Sequence, residues 1–97
     1  MTNDSSIKLS SVVVWSQDPL AAEIDGEIAL MSVSSGRYFG LDVTGSDVWR
    51  QLAQPVKIAD LCASLSARYR SEPGTIEHDV LKLIAKLHER QLVKVQE

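Results

Sequence analysis

Cys62, His78 and His88 carry the thiol and imidazole side chains that could bind a metal or take part in catalysis, and they are the only cysteine and histidines of the chain. A zinc finger needs paired ligands a few residues apart, whereas His78 and His88 lie ten residues apart on one predicted helix and face different directions. Cys62 falls on the apolar face of another predicted helix, where cysteine usually acts as a small buried apolar residue. A thiol nucleophile needs a nearby base and partial exposure. We therefore expect no catalytic residue, no metal site and no cofactor.

The segment Arg37–Leu41 offers a different chemistry, main-chain recognition of another polypeptide. It follows a Ser-Ser-Gly turn and is predicted to be the last, edge strand of a small antiparallel sheet. Edge strands present unpaired N–H and C=O groups, and Gly40 has no side chain to keep a second backbone away. Tyr38 is expected to share one face with Gly40, while Phe39 and Leu41 face the core.

The last predicted helix could form the other wall of a groove beside this strand. The candidate wall residues are Asp79, Lys82, Leu83 and Lys86. Charged residues on a helix are mostly exposed to solvent, so the residues alone favour the simpler interpretation of a solvated surface.

Turn signals and hydrophobic periodicity predict the elements that must position these residues. Asp25-Gly26 is a tight-turn pair, and it joins two strands into a hairpin. The predicted strands are Leu20–Ile24, Glu27–Val33 and Arg37–Leu41. Three helices are also predicted. The first runs from the cap Thr44 to about Leu52, the second spans Ile58 to Tyr69, and the third runs from the cap Thr75 to about Gln91. Val12–Trp15 is either a strand or an extended arm, and Leu92–Val95 is a short closing strand.

The order β-β-β-α-α-α predicts an α+β fold like a winged helix-turn-helix, a three-stranded antiparallel sheet followed by three helices.

Length and charge restrict the functions that the chain could have. The chain has 97 residues, which suits one domain over residues 12–97 after a flexible tail at 1–11. Its net charge of −3, and a third helix whose basic and acidic side chains cancel, argue against nucleic acid. With no signal peptide and no long apolar run, we expect a cytoplasmic protein without a membrane partner.

Three motifs resemble a known family. They are Gly36-Arg37-Tyr38-Phe39-Gly40-Leu41-Asp42, Thr44-Gly45-Ser46-Asp47-Val48-Trp49, and the Leu-rich run from Leu83 to Val93. Together they resemble the PqqD-like proteins, also called RiPP precursor recognition elements, over about residues 12 to 95. Two positions depart from the family pattern. Asp42 replaces a commoner Asn, and Gln91 replaces a usual Gly, a change expected to alter the helix C-cap and to leave the groove untouched.

The resemblance implies a non-catalytic domain that binds the leader region of a ribosomally made precursor peptide. The leader would add as a strand and pack against the third helix. By this resemblance, Arg37, Tyr38, Phe39 and Gly40 supply the strand edge, and Asp79, Lys82, Leu83 and Lys86 supply the helix wall.

Within the family, the chain is most similar to the free-standing leader-binding half of the split lasso-peptide B protein. That similarity implies an adaptor that brings the precursor to a separate leader-cleaving cysteine protease subunit, after which a macrolactam synthetase closes the ring. Two alternatives stay open. One is a bacterial PqqD-type chaperone that serves a radical-SAM enzyme in pyrroloquinoline quinone synthesis, and the other is a winged-helix DNA-binding protein. The chain is expected to be a monomer or an edge-paired dimer.

Overall fold

The computed structural model describes residues 7–69 and 72–96, which form six strands and three helices. The strands are β1 Val12–Trp15, β2 Pro19–Ile24, β3 Glu27–Ser32, β4 Tyr38–Gly40, β5 Val56–Lys57 and β6 Val93–Gln96. The helices are α1 Val43–Gln51, α2 Ile58–Tyr69 and α3 Pro73–Glu89. The predicted α+β class is confirmed.

Strands β2, β3 and β4 form the predicted antiparallel meander, with β3 in the centre. Asp25 and Gly26 have φ values of 54° and 84°, so the two-residue turn between β2 and β3 is the one predicted. Gly36 has φ 72°, and its N–H donates to the carbonyl oxygen of Ser32 at 2.7 Å. The second turn therefore places β4 at the edge of this sheet, as expected.

A second three-stranded sheet, which the sequence did not predict, has the order β5-β1-β6. The ambiguous segment Val12–Trp15 is its central strand and pairs antiparallel with both neighbours. Strand β5 has only two residues, too few for a periodic signal. The predicted closing strand is present as β6, and this sheet joins the beginning, middle and end of the domain.

Residues 7–11 lie against the body of the domain. The carbonyl oxygen of Leu9 accepts from the N–H of Ala59 at 2.8 Å, and that of Ser11 accepts from Ile58 at 2.9 Å. Ile7 and Leu9 also pack on the core. This part of the predicted flexible tail is therefore held in place, while residues 1–6 of that tail lie outside the described residues.

Both predicted helix caps are wrong. Helix α1 begins at Val43 because Asp42 is extended, and its Oδ1 accepts from the N–H of Gly45 at 2.7 Å. Thr44 lies inside the first turn. Gly45 suits this cap because a Cβ there would meet Asp42 Oδ1 at 3.1 Å. Helix α3 begins at Pro73, whose fixed φ favours a first helical position, and not after Thr75.

The core is one cluster of side chains from both sheets and all three helices. The predicted stripe of α2 is confirmed, since Ile58, Leu61, Cys62 and Leu65 are buried. Ser46 is a buried polar residue in this region, and its Oγ accepts from the N–H of Ile28 at 2.8 Å. That bond fixes α1 against β3.

None of the helices in the described part of the chain combines the length and apolar character needed to cross a bilayer.

Candidate peptide-binding cleft

The main chain of β4 has two residues whose polar groups face away from its sheet. The carbonyl oxygen of Arg37 accepts from a β3 N–H at 2.9 Å, and the N–H of Leu41 donates to a β3 carbonyl at 2.8 Å. Alternate residues of an antiparallel strand direct their N–H and C=O to the same neighbour. Phe39 therefore also faces β3, whereas the main-chain groups of Tyr38 and Gly40 point to the outer edge. No described strand pairs with that edge.

The side chains of β4 alternate in the predicted way. Phe39 is half-buried against the core, and Leu41 next to the strand is 6% exposed. Tyr38 is 72% exposed, and Gly40 is exposed beside it. The strand thus has an apolar face toward the helices and an open edge.

A cleft of about 410 Å³ lies between this strand and α3, and we call it the α3 cleft. Six of the eight predicted site residues line it: Phe39, Gly40, Asp79, Lys82, Leu83 and Lys86. Its floor is apolar, with Leu41, Val48, Leu65, Ile76 and Val80. The structure therefore brings the predicted helix wall and half of the predicted strand edge to one surface.

The other two predicted residues, Arg37 and Tyr38, line a second cleft of about 360 Å³, the turn cleft. Phe39 lines both clefts. The Arg90 guanidinium lies 5.3 Å from the Phe39 ring centroid, a distance suited to a cation–π contact. The two clefts thus adjoin at Phe39 and follow β4 from one end to the other.

Comparison with known proteins now identifies the family. The family described as Coenzyme PQQ synthesis protein D (PqqD) matches residues 27–93. The chain belongs to the PqqD family. The resemblance seen in the sequence is therefore confirmed. No curated protein matches the chain.

Two solved structures are similar to this PqqD-family chain. One is "TbiB1 in Complex with the TbiA(beta) Leader Peptide", with 28% identity, a TM-score of 0.78, and coverage of 84% of this chain and 94% of that one. The other is "Lasso peptide synthetase B1 complexed with the leader peptide", with 23% identity, a TM-score of 0.75, and coverage of 84% and 96%. Both share the fold described above.

Sequence reasoning missed several residues of the turn cleft in this PqqD-family chain. They are Ser32, Ser35, Glu89, Arg90, Gln91 and Leu92. Gln91 lines the turn cleft and not the α3 cleft, because the end of α3 reaches the start of β4. No local pattern marked these residues, because their approach to β4 depends on how α3 packs.

Charges of both signs border the α3 cleft. Lys82 and Lys86 are exposed on α3, and Asp79 is exposed one turn earlier on the same helix. Asp42 lies on the opposite wall. With an apolar floor between these charges, the cleft suits a segment that carries both apolar and charged side chains.

Cys62 and the two histidines lie apart from the clefts. Cys62 is 3% exposed, and burial raises the pKa of its thiol, with a further contribution from Glu77. The thiol is therefore held in its protonated, less nucleophilic form. His78 and His88 are exposed, and no group of three or more potential metal ligands occurs among the described residues.

Proposed function

We propose that this PqqD-family chain is a non-catalytic adaptor that binds the leader region of a ribosomally synthesised precursor peptide. The observation that carries the proposal is the free β4 edge, with the main-chain groups of Tyr38 and Gly40 facing outward beside an apolar cleft. The 28% identical protein of similar fold was solved in complex with a leader peptide, which supports leader binding here.

The leader would bind as an added strand. Tyr38 and Gly40 are two residues apart, so each would exchange main-chain hydrogen bonds with the leader at every second leader residue. These bonds tolerate many sequences, because they involve only the backbone. Successive side chains of a strand point to opposite faces. Every second leader side chain would therefore enter the α3 cleft, and the others would face solvent.

Side chains of α3 would supply the sequence preference. Leu83, with the apolar floor of the cleft, suits apolar leader side chains. Lys82 and Lys86 suit acidic leader residues, and Asp79 suits a donor. Ordering a flexible leader costs entropy and cancels much of the gross interaction energy, so the apolar contacts must be well matched for binding to be measurable.

In this proposal the captured precursor is delivered to separate cytoplasmic enzymes of lasso peptide maturation, a leader-cleaving cysteine protease and then a macrolactam synthetase. The similarity of the sequence to the lasso-peptide B protein supports this assignment. The alternative within the family is a chaperone for a radical-SAM enzyme in pyrroloquinoline quinone synthesis, and the family's name supports the link to that synthesis.

Titration with a synthetic leader, copied from a short precursor encoded beside the gene, tests the proposal. Amide NMR shifts are expected at residues 37–41 and 79–86. Leu83→Asp should abolish binding, because it places a carboxylate against the apolar floor. Leu81→Asp is the matched control, since Leu81 is also half-buried on α3 but does not line the α3 cleft.

The outcomes separate the remaining functions. Equal leader affinity of folded Leu83→Asp and Leu81→Asp proteins would contradict the cleft as the binding site. A flat titration, together with salt-sensitive binding to duplex DNA, would favour the winged-helix DNA-binding alternative. Binding only to the peptide precursor of pyrroloquinoline quinone would favour the chaperone alternative.

A further inference from the structure

Strand β2 is the other edge of the meander, opposite β4, and no strand in the described part of the chain pairs with its outer side. Residues 20–24 are all exposed, and Leu20 and Ile24 are 59% and 69% exposed. Sheet edges are usually protected by charges or by Pro within the strand. Here Pro19 occupies only the first position, and the Glu23 carboxylate is already bound by Arg50 at 2.9 Å. This edge is therefore open to pairing with another strand.

The hairpin turn determines which β2 residues face outward. Ile24 and Glu27 flank the two-residue turn, so they form a hydrogen-bonded pair. Alternation along the strand then directs the main-chain groups of Leu20, Ala22 and Ile24 to β3. Those of Ala21 and Glu23 point to solvent.

We propose that β2 pairs antiparallel with β2 of a second copy of this chain, about a two-fold axis through Ala22. Ala21 of each copy would exchange both main-chain hydrogen bonds with Glu23 of the other copy. On the adjoining face, Leu20 would lie opposite Ile24 of the second copy, and Ala22 opposite Ala22. Apolar cross-strand pairs of this kind stabilise a sheet.

The register follows from chemistry, because the neighbouring registers are unfavourable. A shift of one residue would place the outward-facing main-chain groups of one copy opposite residues of the other copy whose main-chain groups are already bonded to β3. A shift of two residues one way would place Leu20 opposite Gly26 of the turn, so the apolar pair of Leu20 with Ile24 would be lost. A shift of two the other way would pair Glu23 with Pro19, which has no N–H. The axis through Ala22 keeps the apolar pairs of Leu20 with Ile24 and of Ala22 with Ala22, and it gives each outward main-chain donor an acceptor.

A self-complementary strand favours a second copy over an unrelated protein as the occupant. The dimer would join two three-stranded meanders into one continuous sheet, with a β4 edge at each far end. Pairing at β2 therefore leaves the edge of Tyr38 and Gly40 free, and this inference stands independently of the proposed function.

Cysteine cross-linking tests the axis. In the proposed dimer the two Ala22 residues form a non-hydrogen-bonded pair, whose Cα atoms lie about 4.5 Å apart, within the disulfide range of about 4.4–6.8 Å. Oxidised Ala22→Cys protein should become a covalent dimer. Ala21→Cys is the matched control, because Ala21 is also exposed but lies opposite Glu23. The native Cys62 is buried and should not interfere.

Sedimentation equilibrium on the full chain gives a second test. The wild-type protein should show a monomer–dimer equilibrium, and Ala22→Lys should be monomeric because two ammonium groups would meet on the axis. Mixing Ala22→Lys with Ala22→Glu should restore a mixed dimer. A monomeric wild type, equal cross-linking of the two cysteine variants, or a dimer insensitive to Ala22→Lys would overturn the proposal. So would a dimer dispersed by leader peptide, since that would indicate pairing through β4.

Discussion

Replacing Gln91 with glycine should stabilise the protein, because Gln91 holds a left-handed conformation at the end of α3. Its φ is 62°. Its N–H donates to the carbonyl oxygen of His88 at 2.9 Å, and the N–H of Leu92 donates to Leu87, also at 2.9 Å. These two bonds form a Schellman motif, in which the left-handed residue is usually Gly. Gln91→Gly keeps both bonds, since they use only the main chain.

The magnitude follows from two opposing effects. A side chain in the left-handed region costs roughly 1–2 kcal/mol, which glycine removes. Glycine gains more freedom than other residues in the unfolded chain, which costs roughly 0.5–1 kcal/mol. At the midpoints of these ranges the net gain is about 0.75 kcal/mol, equivalent to a rise in melting temperature of about 3–6 °C for a domain of this size.

Urea and thermal denaturation measure this gain. Glu89→Gly serves as the control, because it adds the same unfolded-state freedom at the last helical residue without relieving a positive φ. Glu89→Gly should lower the free energy of unfolding. The free energy of unfolding of Gln91→Asn should lie between those of the wild type and Gln91→Gly, since Asn tolerates this conformation better than Gln. A Gln91→Gly protein no more stable than the wild type would refute the reasoning.

Three other predictions concern the core, the pH dependence and the strand edge. Ser46→Ala should destabilise the protein by about 1–3 kcal/mol in urea denaturation, because the buried N–H of Ile28 loses its acceptor; an unchanged midpoint would contradict this. The Tyr69 hydroxyl, helped by neighbouring arginines, lowers the pKa of Asp47 below its ordinary value of 3.8. Ionised Asp47 therefore contributes stability that is present above pH 3.8 and lost as the pH falls through the lower folded value. Asp47→Asn should lose less stability than the wild type over that acid range, and identical pH profiles would count against the interaction. Tyr38→Pro removes an outward N–H together with the exposed ring, whereas the control Tyr38→Ala removes the ring alone. Calorimetry should find leader affinity about tenfold weaker for Tyr38→Pro than for Tyr38→Ala, and circular dichroism an intact fold for both; equal affinities would argue against strand addition.

Local patterns in the sequence were sufficient for the elements with strong short-range signals. The Asp25-Gly26 turn and the stripe of α2 were predicted correctly, because turn chemistry and helical periodicity involve residues close together in the chain. The helix starts were less predictable. Asp42 and Thr44 are both capping residue types, and the choice depends on which of them lies in extended backbone.

Tertiary structure alone decided the second sheet and the shape of the site. Strand β5 exists only because β1 offers it a partner more than forty residues away, so no local pattern marks it. Likewise, the approach of Arg90 and Gln91 to β4 depends on how α3 packs, which spacing along the chain does not show. The sequence by itself indicated the family and the edge strand. The joining of that edge to the two clefts required the packed fold, because it depends on contacts between distant segments.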